Sequence, residues 1–266
     1  MSVLQAIILG AIQGFTEFLP VSSSGHLIFI PALFGWQDQG LFFDIVVHLG
    51  TLVAVLMYTK KTLLQLSVAL FFPKKENTHD RCIALYLLGS AIPVAVVGFL
   101  LGSNIRSYWV IGISFIVWGV VLCIADGYNH RLSQERKVTS LRGVRPGQIL
   151  CMSLAQVLAL VPGTSRSGIT MVAGLFGKLS KKMAAEISFL MAIPVIGAAS
   201  VLSIHDMLTG NVIQVSMMSL IVGFFVSCLT AMMAMKWLVS LVEKWGYGLF
   251  GYYRIIVGII ILLVLV

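Results

Sequence analysis

The sequence predicts an all-α polytopic membrane protein with six transmembrane helices, two re-entrant pairs of half-helices and an inverted-topology repeat. Three observations predict this. Apolar runs long enough to cross a bilayer recur along the chain, two apolar regions break in the middle at proline and small polar residues, and basic residues gather in alternate connections. Hydrophobic residues make up 59% and charged residues 11%, and mean hydropathy is +1.00; a soluble domain is about a quarter charged. The weakly alternating strands of roughly ten residues that build an outer-membrane barrel are not seen. The 266 residues suit one membrane domain, 1–266, with no room for a soluble enzyme domain.

Full spans are expected at 41–59, 83–103, 109–127, 184–204, 215–237 and 251–266, each close to the roughly 20 residues that cross a hydrocarbon core. Polar connections fall near 60–82, 104–108, 128–147, 178–183, 205–214 and 238–250. Regions 2–35 and 148–177 are too long for one span and too short for two, and they break at "LPVSSSGH" and "VPGTSRSG". Proline and small polar residues end a helix, and inside a membrane the freed backbone groups are tolerated only where they line a protein-enclosed cavity. Each region therefore reads as two half-helices that enter and leave on one face.

Orientation follows from Lys and Arg. Of the 18 in the chain, fifteen gather on one face by the alternation of spans, fourteen of them in its connections, from Lys60 and Lys61 to Lys244, and Lys236 at the end of span 215–237. The other face receives Arg106, while Arg166 sits in a broken loop and Arg254 at a span end. The basic face is then cytoplasmic and both chain ends lie outside. The net charge of +8 needs no nucleic acid to explain it. The first residues lack the basic stretch of a cleavable signal peptide. Cys82, Cys123, Cys151 and Cys228 show no metal or disulfide spacing and read as small apolar residues.

The two broken regions enter from opposite faces, which suggests inverted halves, 1–127 and 148–266, joined by the basic cytoplasmic loop 128–147. Gln13 and Gly25 recur at the same spacing as Gln156 and Gly168, "LFG" at 33–35 recurs at 175–177, and an acid follows each, Asp44 and Glu186. Inverted repeats with discontinuous helices place a polar site near the midplane, between the halves.

The residues at the breaks suit an anion. Gln13 and Glu17 lie four apart on one helical face, and a lipid-facing Glu would cost about 2.5–3.5 kcal/mol or more, so Glu17 should face a polar pocket. Ser22, Ser23 and Ser24 cap the second half-helix, whose N-terminus offers unpaired N–H groups and partial positive charge. His26 is titratable near neutral pH and lies within a turn or two of them. In the second break Gly163 and Gly168 allow close backbone approach, and Thr164, Ser165 and Ser167 donate hydrogen bonds. Arg166, a permanent cation among apolar residues, needs an anion: Glu17, a bound phosphate, or each in turn. No Walker loop is present. Asp44 and His48 lie four apart and can pair with each other.

Together the "QxxxE" of Gln13 to Glu17, "LPVSSSGH", "PGTSRSG" and the Tyr253–Arg254 pair resemble the undecaprenyl-diphosphate phosphatases of the bacitracin-resistance type, over essentially the whole chain. The resemblance implies removal of the terminal phosphate of a long-chain isoprenyl diphosphate in the bacterial inner membrane, recycling the carrier lipid for wall synthesis and conferring bacitracin resistance. It also implies Glu17, His26 and Arg166 as the essential set, Ser23 as the favoured hydroxyl, a divalent cation (Mg²⁺ or Ca²⁺) held by Glu17, and, by analogy of fold, a homodimer. Gln13 stands where the family also has Glu, and a neutral amide is the weaker metal ligand. Thr164 replaces an aromatic residue of the family's loop.

Two chemistries fit these residues. Ser23 attacks with His26 as base, or His26 activates water or attacks directly while Ser23 only binds. Arg166 and the two loop N-termini clamp the phosphates. A secondary transporter or flippase of a phosphorylated lipid, using the same midplane site, is the competing class.

Overall fold

The computed structural model describes residues 1–101, 107–209 and 215–266. In chain order the α-helices are α1 (Val3–Phe18), α2 (Ser23–Leu33), α3 (Leu41–Tyr58), α4 (Lys60–Phe71), α5 (Thr78–Gly89) and α6 (Ile92–Leu101). They continue with α7 (Tyr108–Arg131), α8 (Pro146–Ala155), α9 (Arg166–Phe176), α10 (Lys181–Thr209), α11 (Met217–Lys244) and α12 (Gly248–Val264). A 3₁₀ stretch, Gln156–Leu160, extends α8 toward the second break.

Among the described residues five segments are long and apolar enough to cross a membrane: Leu41–Tyr58, Lys75–Leu100, Tyr108–Arg131, Lys181–Val201 and Met217–Lys244. The sixth expected span, 251–266, is α12, whose 17 apolar residues make a rod of about 25 Å, somewhat short of a hydrocarbon core of about 30 Å. Both broken regions are interrupted where expected. α2 and α9 have 11 residues each, about half a bilayer.

Several boundaries differ from expectation: α7 runs on to Arg131 and α11 to Lys244, seven residues into the expected connection 238–250. Span 83–103 breaks between α5 and α6 because Pro93 has no N–H to continue the ladder; Ser90 Oγ donates to Leu87 O, and Gln156 Nε2 donates to Ser90 O at 3.1 Å. The connection 60–82 contains α4, an amphipathic helix that buries Leu66 and Ala69 and exposes Leu64 and Phe71. The connection expected from 205 begins inside α10; its positions 210–214, and Arg106, lie outside the described residues.

Helices approach through small residues. α1 lies along α11 and α7 along α12, the close packing that membrane helices achieve where Gly, Ala and Ser leave backbones bare. A Cβ on Gly119 would stand 2.8 Å from Gly251 O, and one on Gly258 would stand 2.7 Å from Gly112 O. On α1, Gly10 meets Gly223, and Gly14 fits against Ser227 and Ala231 of α11. Large side chains such as Phe99, Leu229 and Leu263 are left exposed on the outer surface, as a lipid-facing wall requires.

The loop 128–147 is pinned rather than loose. Val138 N donates to Lys178 O at 2.9 Å, Ser180 N donates to Val138 O at 2.8 Å, and Asn129 Nδ2 donates to Leu179 O at 2.8 Å.

The α1–α11 contact is testable at one atom. A Cβ on Gly14 would lie 2.9 Å from Ala231 N and nearer still to Ser227 O. Gly14→Leu should therefore lower the thermal unfolding midpoint in detergent by several degrees. Gly127→Ala, inside α7 where a Cβ meets nothing within 4 Å, should not lower it, because Ala favours a helix interior over Gly.

Candidate active site

The two breaks end alike. Ser22 caps α2 with φ 74° and ψ 96°, and its Oγ accepts from Gly25 N at 3.3 Å. Ser165 caps α9 with φ 76° and ψ 111°, and its Oγ accepts from Gly168 N at 3.0 Å. Positive φ on a side-chain-bearing residue costs on the order of 1–3 kcal/mol and persists only where the surroundings enforce it. Here it lets the chain turn sharply into a helix, so the first residues of each short helix, Ser23 and Arg166, stand at its positive end.

The loops are tied to each other. Ser167 Oγ donates to Leu19 O at 2.8 Å. Arg254, 1% exposed, reaches both: Nη1 donates to Pro20 O at 3.2 Å, and Nη2 to Gly163 O at 2.8 Å and Ser114 O at 3.3 Å. Its guanidinium also lies 5.1 Å from the centre of the Phe115 ring, a favourable cation–π placement.

Glu17 stands where the loops face each other. Its Oε1 accepts from Arg166 Nη2 at 2.8 Å. Its Oε2 accepts from Ser23 Oγ at 2.7 Å and Gln13 Nε2 at 3.1 Å. His48 Nε2 lies 3.6 Å from the same oxygen. Arg166 is fixed further by Ser188 O, which accepts from Nη1 at 3.0 Å. This is a carboxylate from one broken region paired with a guanidinium from the other.

A cavity of about 350 Å³ opens beside the pair. Glu17, Ser22, Ser23 and Ser24 line it from the first region, and Ser165, Arg166 and Ser167 from the second. α3 contributes Leu41, Asp44, Ile45 and His48; α10 contributes Val195, Ile196, Ala199 and Ser200. Gln13, Gly163, Thr164 and His26 are not on its wall. Gln13 is fully buried behind Glu17, and Gly163 gives its carbonyl to Arg254. His26 is engaged at both ring nitrogens. Nδ1 donates to Ser22 O, 2.7 Å away, which leaves Nε2 to accept from Tyr253 Oη, also at 2.7 Å.

Several contacts were not legible in the sequence. The expected Asp44–His48 contact is made through the backbone, His48 Nδ1 donating to Asp44 O at 2.6 Å, while Gln39 Nε2 donates to the Asp44 carboxylate at 2.8 Å. His48 thereby turns Nε2 toward Glu17. The roles of Tyr253 and Arg254 also lay hidden. A cation in an apolar span was visible, but its partners are carbonyl oxygens from three distant places, which carry no sequence signal.

Residues 6–260 match the family model described as bacitracin resistance protein BacA. The chain belongs to the BacA family. Relatives include undecaprenyl-diphosphatase 1 of Pseudoalteromonas translucida, 37% identical with 97% of each chain covered. Undecaprenyl-diphosphatase 2 of Stutzerimonas stutzeri and the undecaprenyl-diphosphatase of Alteromonas mediterranea are each 40% identical, with 98% of each chain covered. All the residues of the two breaks therefore lie within the matched BacA region.

Arg254 gives this BacA-family site its clearest structural test. Arg254→Met would strand three buried carbonyls, each worth about 1–3 kcal/mol when left unpaired. The thermal midpoint in detergent should fall well beyond that of a lipid-facing Leu263→Ala control.

Proposed function

We propose that the chain hydrolyses undecaprenyl diphosphate to undecaprenyl monophosphate and inorganic phosphate at the cavity between its two broken loops. That reaction recycles the isoprenyl carrier for bacterial wall synthesis and accounts for bacitracin resistance. The observation that carries the proposal is one hydrogen bond: Ser23 Oγ donates to Glu17 Oε2 at 2.7 Å, on a wall that also holds Arg166. A hydroxyl beside a carboxylate is an activated nucleophile, and a guanidinium with two helix N-termini is a phosphate clamp.

In this scheme, while Ser167, whose hydroxyl donates to Leu19 O, ties the two loops together, Arg166 and the hydroxyls of Ser22, Ser24 and Ser165 hold the terminal phosphate. Ser23 Oγ attacks its phosphorus and passes its proton to Glu17 Oε2. The bond to the bridging oxygen breaks, and the lipid monophosphate leaves with that oxygen. Water then cleaves the Ser23 phosphoester, releasing inorganic phosphate and restoring the hydroxyl. His48 Nε2, close to Glu17 Oε2, offers the proton a way onward. His26 acts as a positioning residue, holding the Ser22 carbonyl and hence the turn into α2. Gln13 positions Glu17, while Gly163 and Thr164 shape the second turn.

A divalent cation, Mg²⁺ or Ca²⁺, fits this wall in one way. Glu17 and Asp44 both line the cavity, yet among the described residues no group of three His, Cys, Asp or Glu could hold an ion. Such a site suits an ion that takes its remaining oxygens from phosphate and water, the usual habit of Mg²⁺. Glu17, with Asp44, would hold it. Bound, it would neutralise the diphosphate and ease departure of the leaving oxygen.

The architecture we propose has six spans, α12 the sixth, and two re-entrant pairs in inverted halves 1–127 and 148–266. The matching caps at Ser22 and Ser165 support it. The lysine-rich loops, with 128–147, would face the cytoplasm and both termini the outside.

Purified protein with Mg²⁺ should release phosphate from undecaprenyl diphosphate, and chelation by EDTA should abolish it. Ser23→Ala, Glu17→Gln and Arg166→Ala should each slow release at least about a hundredfold. Full activity in Ser23→Ala would remove the hydroxyl from the chemistry.

A further inference from the structure

A second cavity, of about 520 Å³, lies at the other end of the α3–α10 pair. In the first cavity the start of α3 (Leu41, Asp44, Ile45, His48) faces Ala199 and Ser200, late in α10. In the second the end of α3 and start of α4 (Tyr58 to Thr62) faces the first turns of α10. α3 has 18 residues, a rod of about 27 Å, and the two cavities lie toward its opposite ends.

The two walls also correspond position by position. Leu41, Asp44, Ile45 and His48 of the first cavity map, in the register set by the two "LFG" stretches, onto Met183, Glu186, Ile187 and Leu190. All four of those line the second cavity. In the same register Ser200 maps onto Tyr58, again one wall residue onto another. A repeat that makes one phosphate-sized cavity has thus made a second, and chemistry has diverged between them. The second has no counterpart of Ser23, and His48 is replaced by Leu190. What it has instead is Lys60, Lys61 and Lys182 together with the hydroxyls of Thr59, Thr139 and Ser140. Glu186 is the single carboxylate on that wall, against three ammonium groups.

We infer that this lysine cavity binds the phosphate of an anionic ligand without hydrolysing it, most naturally a phosphorylated lipid headgroup at the basic face of the membrane. Three lysines around hydroxyls make a site for a phosphate monoester, since ammonium groups serve phosphate as point charges from a flexible stem. Leu141, Met183, Ile187 and Leu190 on the same wall give the start of an apolar tail a dry surface. Basic pockets between helices on the cytoplasmic side are a recurrent way of holding lipid headgroups. The inference uses the cavity and the register, and it stands whether or not the first cavity is a phosphatase site.

The test is the binding stoichiometry of radiolabelled farnesyl phosphate to the full-length protein in detergent. The parent should bind two equivalents and Arg166→Gln one. Adding Lys60→Gln, Lys61→Gln and Lys182→Gln to Arg166→Gln should remove the remaining one. The three lysine substitutions alone should leave one equivalent and keep the thermal midpoint of the parent, which shows that the protein is folded. Competition with inorganic phosphate identifies the source: displacement at equal concentration means a free-phosphate site, resistance means that the lipid tail contributes. Binding unchanged by the three lysine substitutions, in the parent and in Arg166→Gln alike, would overturn the inference. Phosphate release from undecaprenyl diphosphate, assayed on the same samples, reports separately on the first cavity.

Discussion

The pairing of Glu17 with Arg166 is the interaction on which the rest of the molecule depends. Each side chain alone would be a bare charge at membrane depth, where Arg or a carboxylate costs several kcal/mol. They neutralise each other only because the two broken regions meet, at 2.8 Å between Oε1 and Nη2. Removing one member of such a buried pair costs about 3–5 kcal/mol, because the survivor is stranded. The pair thus joins the two broken regions. It leaves the loop hydroxyls and the starts of two helices around one cavity.

Everything nearby holds that meeting in place. Ser22 and Ser165 accept a strained backbone so that α2 and α9 start within the cavity wall. Arg254 takes carbonyls from both loops and from α7, so backbone groups freed by the breaks are not left empty in a dry interior. Behind the loops, bare glycine surfaces let α1 reach α11 and α7 reach α12. The resulting rigidity suits phosphoryl transfer, in which positioning and electrostatics dominate.

Much of this was legible in the sequence because membranes impose simple rules. Apolar length marked the spans, and "LPVSSSGH" and "VPGTSRSG" marked the breaks because proline and serine runs have no other use at that depth. Charge logic joined Arg166 to Glu17. What escaped notice depended on direction rather than composition. His26 has the residue type of a base, yet both its ring nitrogens are engaged, by a backbone carbonyl one turn back and by Tyr253 from α12, and it is not on the cavity wall. His48 looked satisfied by Asp44, but its bond to a backbone oxygen frees the other nitrogen to face Glu17. α4 reads as a connection in the sequence because its mix of Lys, Thr and Leu is too short and too polar to resemble a span. A repeat inferred from a few matched letters carried no hint that two cavities would share a wall pattern.

The most direct measurement is a double-mutant cycle on thermal stability in detergent with Glu17→Gln, Arg166→Gln and the double variant. If the two charges neutralise each other across the halves, each single variant unfolds at a lower temperature than the parent, and the double variant is more stable than either single one. Losses that simply add would contradict the account. They would mean that each charge is satisfied on its own and that the halves are held together by something else.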